Sequence, residues 1–421
     1  MNTSEGRRIK AIPRILFRLV AGVAAFALVL FAALVLWLRY AALPHIDEYR
    51  GYIVSSIEKA SGMAVAIDHI RGSWGGLRPQ LELEGFRISD KRGRTALAID
   101  RADVTLTWWG LVFGRVRFHD LAFYRPLLAL RRGTDGLIYL ADQPLNERTA
   151  GGDDRFSDWL LSQPRLLVHD AVLVWRDELG NAPEVQLTGV EIAVRRTRGR
   201  HHASITAFPP RALAARIEAR TDLRLEHAQG RWSASGEIFA EALQADLGSL
   251  RAHLPVPESL RSGAGSVRVW STLADSGVKE VVADLRVRDA SVRLASDVLP
   301  LELATLSGRA TYRAEPHGFT FGTQNLQFHR VNGEETRTGT FSLTYETPPK
   351  EPPRGAVRAD GIDLKIAASL MDYFPVPRDV KGQVLRFAPR GRLLETTLTW
   401  SGESAAHPRA YALKGRFVDL A

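Results

Sequence analysis

Cysteine is absent from all 421 residues. Disulfide bonds, thiol nucleophiles and cysteine-ligated metals are thereby excluded, even in a compartment oxidising enough for disulfides. No segment resembles a phosphate-binding loop or a nucleotide fold, so no nucleotide-driven step is read here. Metal-ligand spacing is missing too: His201 and His202 are neighbours whose side chains diverge, and they follow Arg195, Arg196, Arg198 and Arg200, which reads as a solvated loop. Asp153, Asp154 and Asp158 open an expected helix, where carboxylates complement the helix dipole. Ser73, between Gly72 and Gly76, lacks the strand-to-helix setting of a hydrolase nucleophile. No catalytic residue, metal or cofactor is assigned. The net charge of +9 and isoelectric point near 9.9 come partly from a basic leader, and the other arginines are spread along expected strands. A solvated face accounts for them, and no nucleic-acid partner is expected.

What is present begins with an unbroken apolar run over residues 19–38, with Arg7, Arg8, Lys10, Arg14 and Arg18 before it and Arg39 and Tyr40 after it. About 20 residues at 1.5 Å each cover a hydrocarbon core of roughly 30 Å, so the run can span a bilayer once. A signal peptide is the alternative, but its apolar core is shorter, about 7 to 15 residues. The basic side predicts a cytoplasmic N-terminus. Everything from Arg39 onward then lies across the inner membrane, in the periplasm of a Gram-negative cell. Ala21 and Ala25 offer a weak small-residue face for helix pairing.

Beyond Pro44, Ile46, Tyr49, Ile53, Ile57 and Ala60 recur at helical spacing, with Asp47 placed to cap and Gly62 to terminate. From Met63 the period changes to two. Apolar residues alternate at Val65 and Ile67, at Leu81, Leu83, Phe86 and Ile88 with Gly85 as a bulge, and at Val104, Leu106 and Trp108. The pattern returns at Leu128 and Leu130, Val172 and Val174, Val190, Ile192 and Val194, Val267 and Val269, Leu285 and Val287, and Phe341, Leu343 and Tyr345. Arg115, Arg117, Arg195, Arg268, Arg286, Arg288 and Arg293 take the opposite parity. The fold class read from this is mainly β: a long, curved, mostly antiparallel sheet with short interspersed helices, expected over 109–114, 153–163, 241–253 and 363–373. Trp108, Trp109 and Phe113 suit core packing or a groove plug.

So much one-sided apolar surface has to be covered. A two-sheet sandwich is one solution; a trough filled by acyl chains is the other. The expected lining of that trough is Leu81, Leu83, Val104, Leu106, Leu128, Leu130, Val172, Val174, Ile192, Val194, Leu285 and Val287. Segments 245–269 and 364–387 repeat one plan, a helix, a Pro-Val-Pro turn at 254–257 or 374–377, a glycine and a strand, which favours modular elongation. The proline-rich run 347–354 marks a subdomain boundary.

The residues from Ala42 to Asp90 and from Thr105 to Leu140 carry a resemblance. Leu43, Pro44 and His45 near the membrane, Ser61 and Gly62 at the helix end, Trp74 and Pro79 before a long strand, Trp108 and Trp109 in a short helix, and Arg125 with Pro126 are its points of match. The chain resembles the AsmA-like family, in particular its YhdP branch. The resemblance implies an inner-membrane-anchored lipid-transfer protein that carries phospholipids along an apolar β-groove toward the outer membrane, without catalysis. Phospholipids and the inner membrane are the implied partners, with outer-membrane or envelope proteins beside them. The alternative is an envelope assembly or scaffold factor that binds a protein client. The expected divisions are 1–18 (basic leader), 19–38 (span), 42–140 (membrane-proximal groove cap), 141–346 (groove) and 347–421 (further groove). Since YhdP-like proteins are far longer, the chain is expected to be an N-terminal fragment.

Overall fold

A computed structural model describes residues 11–61, 64–76, 78–89, 95–108, 118–140, 143–144, 163–228, 231–253, 258–275, 277–331, 333, 335–337, 340–374, 381–382, 386–402 and 409–419. The chain divides after Phe123 into two compact units.

In the first unit, helix α1 (Ala11–Trp37) runs for 27 residues and passes into a π turn, Leu38–Ala42, and a 3-10 helix, Leu43–Tyr49, before α2 (Arg50–Ser61). Apolar side chains on α1 stand in the open on every side, Phe26 being 70% exposed. Such a surface is stable only where the surrounding medium is itself apolar. Strands β1 (Ala64–Ala66), β2 (His69–Gly75), β3 (Arg78–Ser89), β4 (Thr95–Leu106) and β5 (Phe118–Tyr124) follow. β3 is the centre, pairing antiparallel with β1, β2 and β4. Ile46, Ile53 and Val54 pack on the buried trio Val65, Ile67 and Ile70, whereas Tyr49 points to solvent. Asp47 does not cap a helix; its carboxylate accepts the Ile70 N–H at 2.9 Å, tying the helical segment to β2. That hydrogen bond, opposed only by partial burial, holds the Asp47 carboxyl below its ordinary value. Gly85 adopts φ +65°, and a Cβ there would meet the Asp68 carboxylate at 2.0 Å.

The second unit contains β6 (Leu127–Arg132), β7 (Ile138–Leu140), β8 (Gln143–Pro144), β9 (Arg165–Asp177), β10 (Val185–Thr197), β11 (Arg200–Phe208), β12 (Arg216–Ala228), β13 (Arg231–Asp246), α3 (Leu247–Leu250), β14 (Leu260–Ala274) and β15 (Gly277–Val292). It continues with β16 (Leu301–Glu315), β17 (Gly318–Arg330), β18 (Glu335–Arg337), β19 (Phe341–Glu346), β20 (Arg354–Ala359), β21 (Ile362–Asp363), α4 (Leu364–Ser369), β22 (Arg392–Ser401) and β23 (Ala410–Val418). β9 to β17 form an antiparallel meander in which each strand pairs with the next, and the ladder goes on through β19, β20, β22 and β23. β6 joins β9 in parallel. Arg125, at φ +49°, turns the chain into β6 and donates its N–H to His169 O.

Several local expectations change. A helix over 241–253 shrinks to α3, because β13 is paired with β12 as far as Leu243 and with β14 as far as Asp246, and pairing overrides the helical propensity of the Glu-Ala-Leu run. Asp246 then caps α3 through the Ser249 N–H at 2.8 Å. The helix expected over 363–373 is α4, capped by Asp363 and ending at Ser369. His201 and His202 lie within β11 and not in a loop; their side chains do diverge, one pairing across from Leu223 and the other from Asp222. The proline-rich run joins β19 and β20, which pair with each other. The expected helices over 109–114 and 153–162, Arg115, Arg117, Gly62, and the turns at 254–257 and 375–377 lie outside the described residues.

Candidate functional site

Cross-strand register shows which side chains share a face. In the second unit one row reads Leu166, Val194, Ala203, Thr221, Ile238, Ser271, Val281, Tyr312, Phe321, Leu343, Val357, Leu398 and Leu413, each directly opposite the next. The parallel row starts at Val168, Ile192, Ile205, Ala219 and Ala240 and continues through Val269, Ala283 and Ala310. Neither row holds a charge. At about 4.8 Å per strand, the first row is a contour of about 58 Å, longer than any single acyl chain in one leaflet of a roughly 30 Å core.

The other face of the same strands is ionic. Glu218, Glu241, Arg268, Asp284 and Arg309 form one rung across five strands. The like charges of Glu218 and Glu241 are separated in effect by arginines: Arg216 and Arg220 hold Glu218, and Arg268 holds Glu241 at 2.6 Å. Arg309 grips Asp284 through two hydrogen bonds of 2.6 and 2.8 Å, which hold its carboxyl below the ordinary value of 3.8 although partial burial pushes the other way. An apolar patch, Phe239 and Trp270 at 5.4 Å between centroids with Val282 across from Trp270, interrupts this face beside Arg309.

One end of the apolar face is covered by the chain itself. Leu247 and Leu250 of α3, Leu370 just after α4, and Ala214, Val287, Leu303 and Phe328 make a buried core, against which Leu285, Val267, Ile217 and Tyr373 pack. The helices of the two sequence repeats therefore close the same end. Away from it the face is half-buried, and its aromatic residues stay partly exposed to solvent: Tyr312 stacks on Phe319 at 6.0 Å, and Phe319 meets Tyr345 at 5.9 Å. Bulges interrupt the alternation along these strands. Asp170, Gly189, Gln244, Asp289, Asn325 and Glu395, one in each of six strands, adopt left-handed φ, and such insertions bend and twist a strand.

Of the expected lining residues, Leu81 and Val104 are directly opposed in the first unit, with Leu83 and Leu106 on the same parity. In the second unit Ile192, Val194, Leu285 and Val287 share the apolar face, the last two at its covered end. Leu128 and Leu130 register with Leu173 and Trp175, and these with Leu187 and Val185. Val172 and Val174 are not brought together with them. The bulge at Asp170 shifts the alternation by one, so Leu166, Val168, Ala171, Leu173 and Trp175 share a face and Val172 and Val174 project from the other. Sequence reasoning passed over Ile238, Val281, Tyr312, Phe321, Val357 and Leu398, whose rows contain Ala, Ser and Thr; the absence of charge at every second position was the available signal.

A long, exposed apolar helix followed by antiparallel sheets with one uncharged, partly open face defines a class of protein whose working surface is greasy and extended. Residues 1–421 match the family model described as YhdP protein, and the chain belongs to the YhdP family. It is 36% identical over 105 residues to the intermembrane phospholipid transporter YhdP of Escherichia coli (strain K12), an alignment covering 24% of this chain and 8% of that relative. No solved structure matches.

Proposed function

We propose that the chain carries phospholipids between membranes, with acyl chains on the uncharged face and head groups in water. In this reading α1 spans the inner membrane, the basic leader is cytoplasmic, the sheets are periplasmic and transport leads toward the outer membrane. The observation that carries the reading is the thirteen-strand row without a charge, opposite a face laced with ion pairs. An acyl methylene in water costs about 0.8 kcal/mol, so a continuous apolar track lowers the barrier to leaving a bilayer by many such increments. The relative's description as an intermembrane phospholipid transporter supports the substrate class. No bond is made or broken along such a track, and the ten expected lining residues that lie on apolar faces, all but Val172 and Val174, act by contact alone.

Purification of the full chain in mild detergent, followed by mass spectrometry of co-purifying lipid, tests the proposal. Ile238→Asp, Val281→Asp and Leu343→Asp are expected to lose bound phospholipid, and Val172→Asp and Val174→Asp to keep it. A folded parent free of lipid would turn the reading toward a scaffold that binds a protein client.

A further inference from the structure

The apolar face of the first unit begins beside the long helix, and a cation stands at that beginning. Phe31 of α1 meets Trp108 edge-to-face at 4.9 Å, and Trp108 lies 6.1 Å from Trp74. Trp74 is directly opposite Pro79, on the parity of Leu81 and Val104, so the two indoles extend that face to the helix. The Arg39 guanidinium stands 5.7 Å from the Trp74 ring and 5.9 Å from the Tyr40 ring. Among the described residues Arg39 forms no ion pair, and the buried Trp74 Nε1 has no acceptor. Arg39 directly follows the apolar run, which places it at the level of lipid phosphates. Its position is set from the sheet side: a Cβ on Gly72 would lie 2.7 Å from Leu43 Cβ and O, so glycine there lets Leu43, one turn past Arg39, settle on β2.

We propose that Arg39, braced by Trp74 and Tyr40, binds the phosphate of a phospholipid in the bilayer that α1 spans, and that Trp74 and Trp108 hand its acyl chains to the face of Leu81 and Val104. The inference rests on the transport reading and gives it a loading site. A guanidinium suits the role because its planar fork donates two parallel hydrogen bonds to a phosphate while its flat side stays on an indole. The aromatic pair supplies an amphipathic surface at the depth where tails leave the hydrocarbon and heads meet water.

The full chain in detergent is titrated with phosphatidylglycerol and, separately, with the diacylglycerol of the same acyl chains, which lacks the phosphate; bound lipid is counted by native mass spectrometry. The parent is expected to prefer the phospholipid about tenfold, Arg39→Gln to bind the two alike, and Arg39→Lys to keep part of the preference as a charge without the fork. A parent that binds neither lipid overturns the transport reading. If the parent binds and Arg39→Gln keeps the full preference, the loading site falls while the apolar track stands. Should Arg39→Gln not fold, Arg39→Lys decides: an intermediate preference supports the site and an undiminished one overturns it. Inorganic phosphate in excess is expected to leave lipid bound; its displacing the lipid outright would assign Arg39 to free phosphate and overturn the proposal.

Discussion

Val281 and Val287 belong to one strand, β15, and to one apolar face, yet Val287 is sealed under α3 and its neighbours while Val281 remains half-exposed between Ser271 and Tyr312. The difference teaches that burial here is distributed along the strands. One end of the face is a conventional protein core that holds the sheet together. The other end leaves apolar surface open, and contiguous apolar surface of that kind marks a place where a partner binds.

The comparison breaks most sharply at two phenylalanines on one strand. Phe328, 7% exposed in the core, and Phe321, on the open row, both lie on β17. Phe328→Ala should cost about 3 to 5 kcal/mol of stability by its lost contacts and cavity, and Phe321→Ala about 1 kcal/mol or less. Thermal or urea unfolding reads both; equal losses would mean that the open end is packed as tightly as the covered one. A smaller effect is expected at Gly355, where a Cβ would meet the Trp400 ring at 2.0 Å. Gly355→Ala displaces that buried indole and should lower stability by about 1 to 3 kcal/mol, seen also as a change in tryptophan emission.

The ionic face gives the smallest effect. Asp284→Asn removes the carboxylate from Arg309 and should cost under about 1 kcal/mol at neutral pH, the usual range for a solvent-accessible pair. The Asp284 carboxyl is held below 3.8 in the folded chain, so its contribution is present above that pH and is lost as pH falls through the lower folded value. The gap between parent and variant in melting temperature should therefore close on acidification below about 3.8. A gap that persists in acid would assign the loss to packing.

Much of this was legible from period and charge. The 19–38 run stands as an exposed helix, and the alternation at Leu81 and Leu83, Ile192 and Val194, and Leu285 and Val287 is that of strands. Val172 and Val174 show where legibility ends: a bulge moves the phase without any change in hydrophobic pattern, because Leu173 and Trp175 beside them are equally apolar. The covered end was hidden for another reason. Its core joins residues as far apart as Ala214 and Leu370, and no local pattern records such a meeting. The Arg39 cluster was half visible, as Arg39 and Tyr40 directly after the apolar run; its link to Trp74 and Trp108 depends on Leu43 seating against Gly72.

Val281 and Val282 offer the most direct test, being adjacent, chemically identical and on opposite faces: Val281 lies across from Ser271 and Tyr312, Val282 across from Trp270 and Thr311. A photo-crosslinking amino acid placed at each position in turn, in cells, should capture phospholipid at 281 and not at 282. Capture at both positions, or at 282 alone, would contradict a single lipid-bearing face.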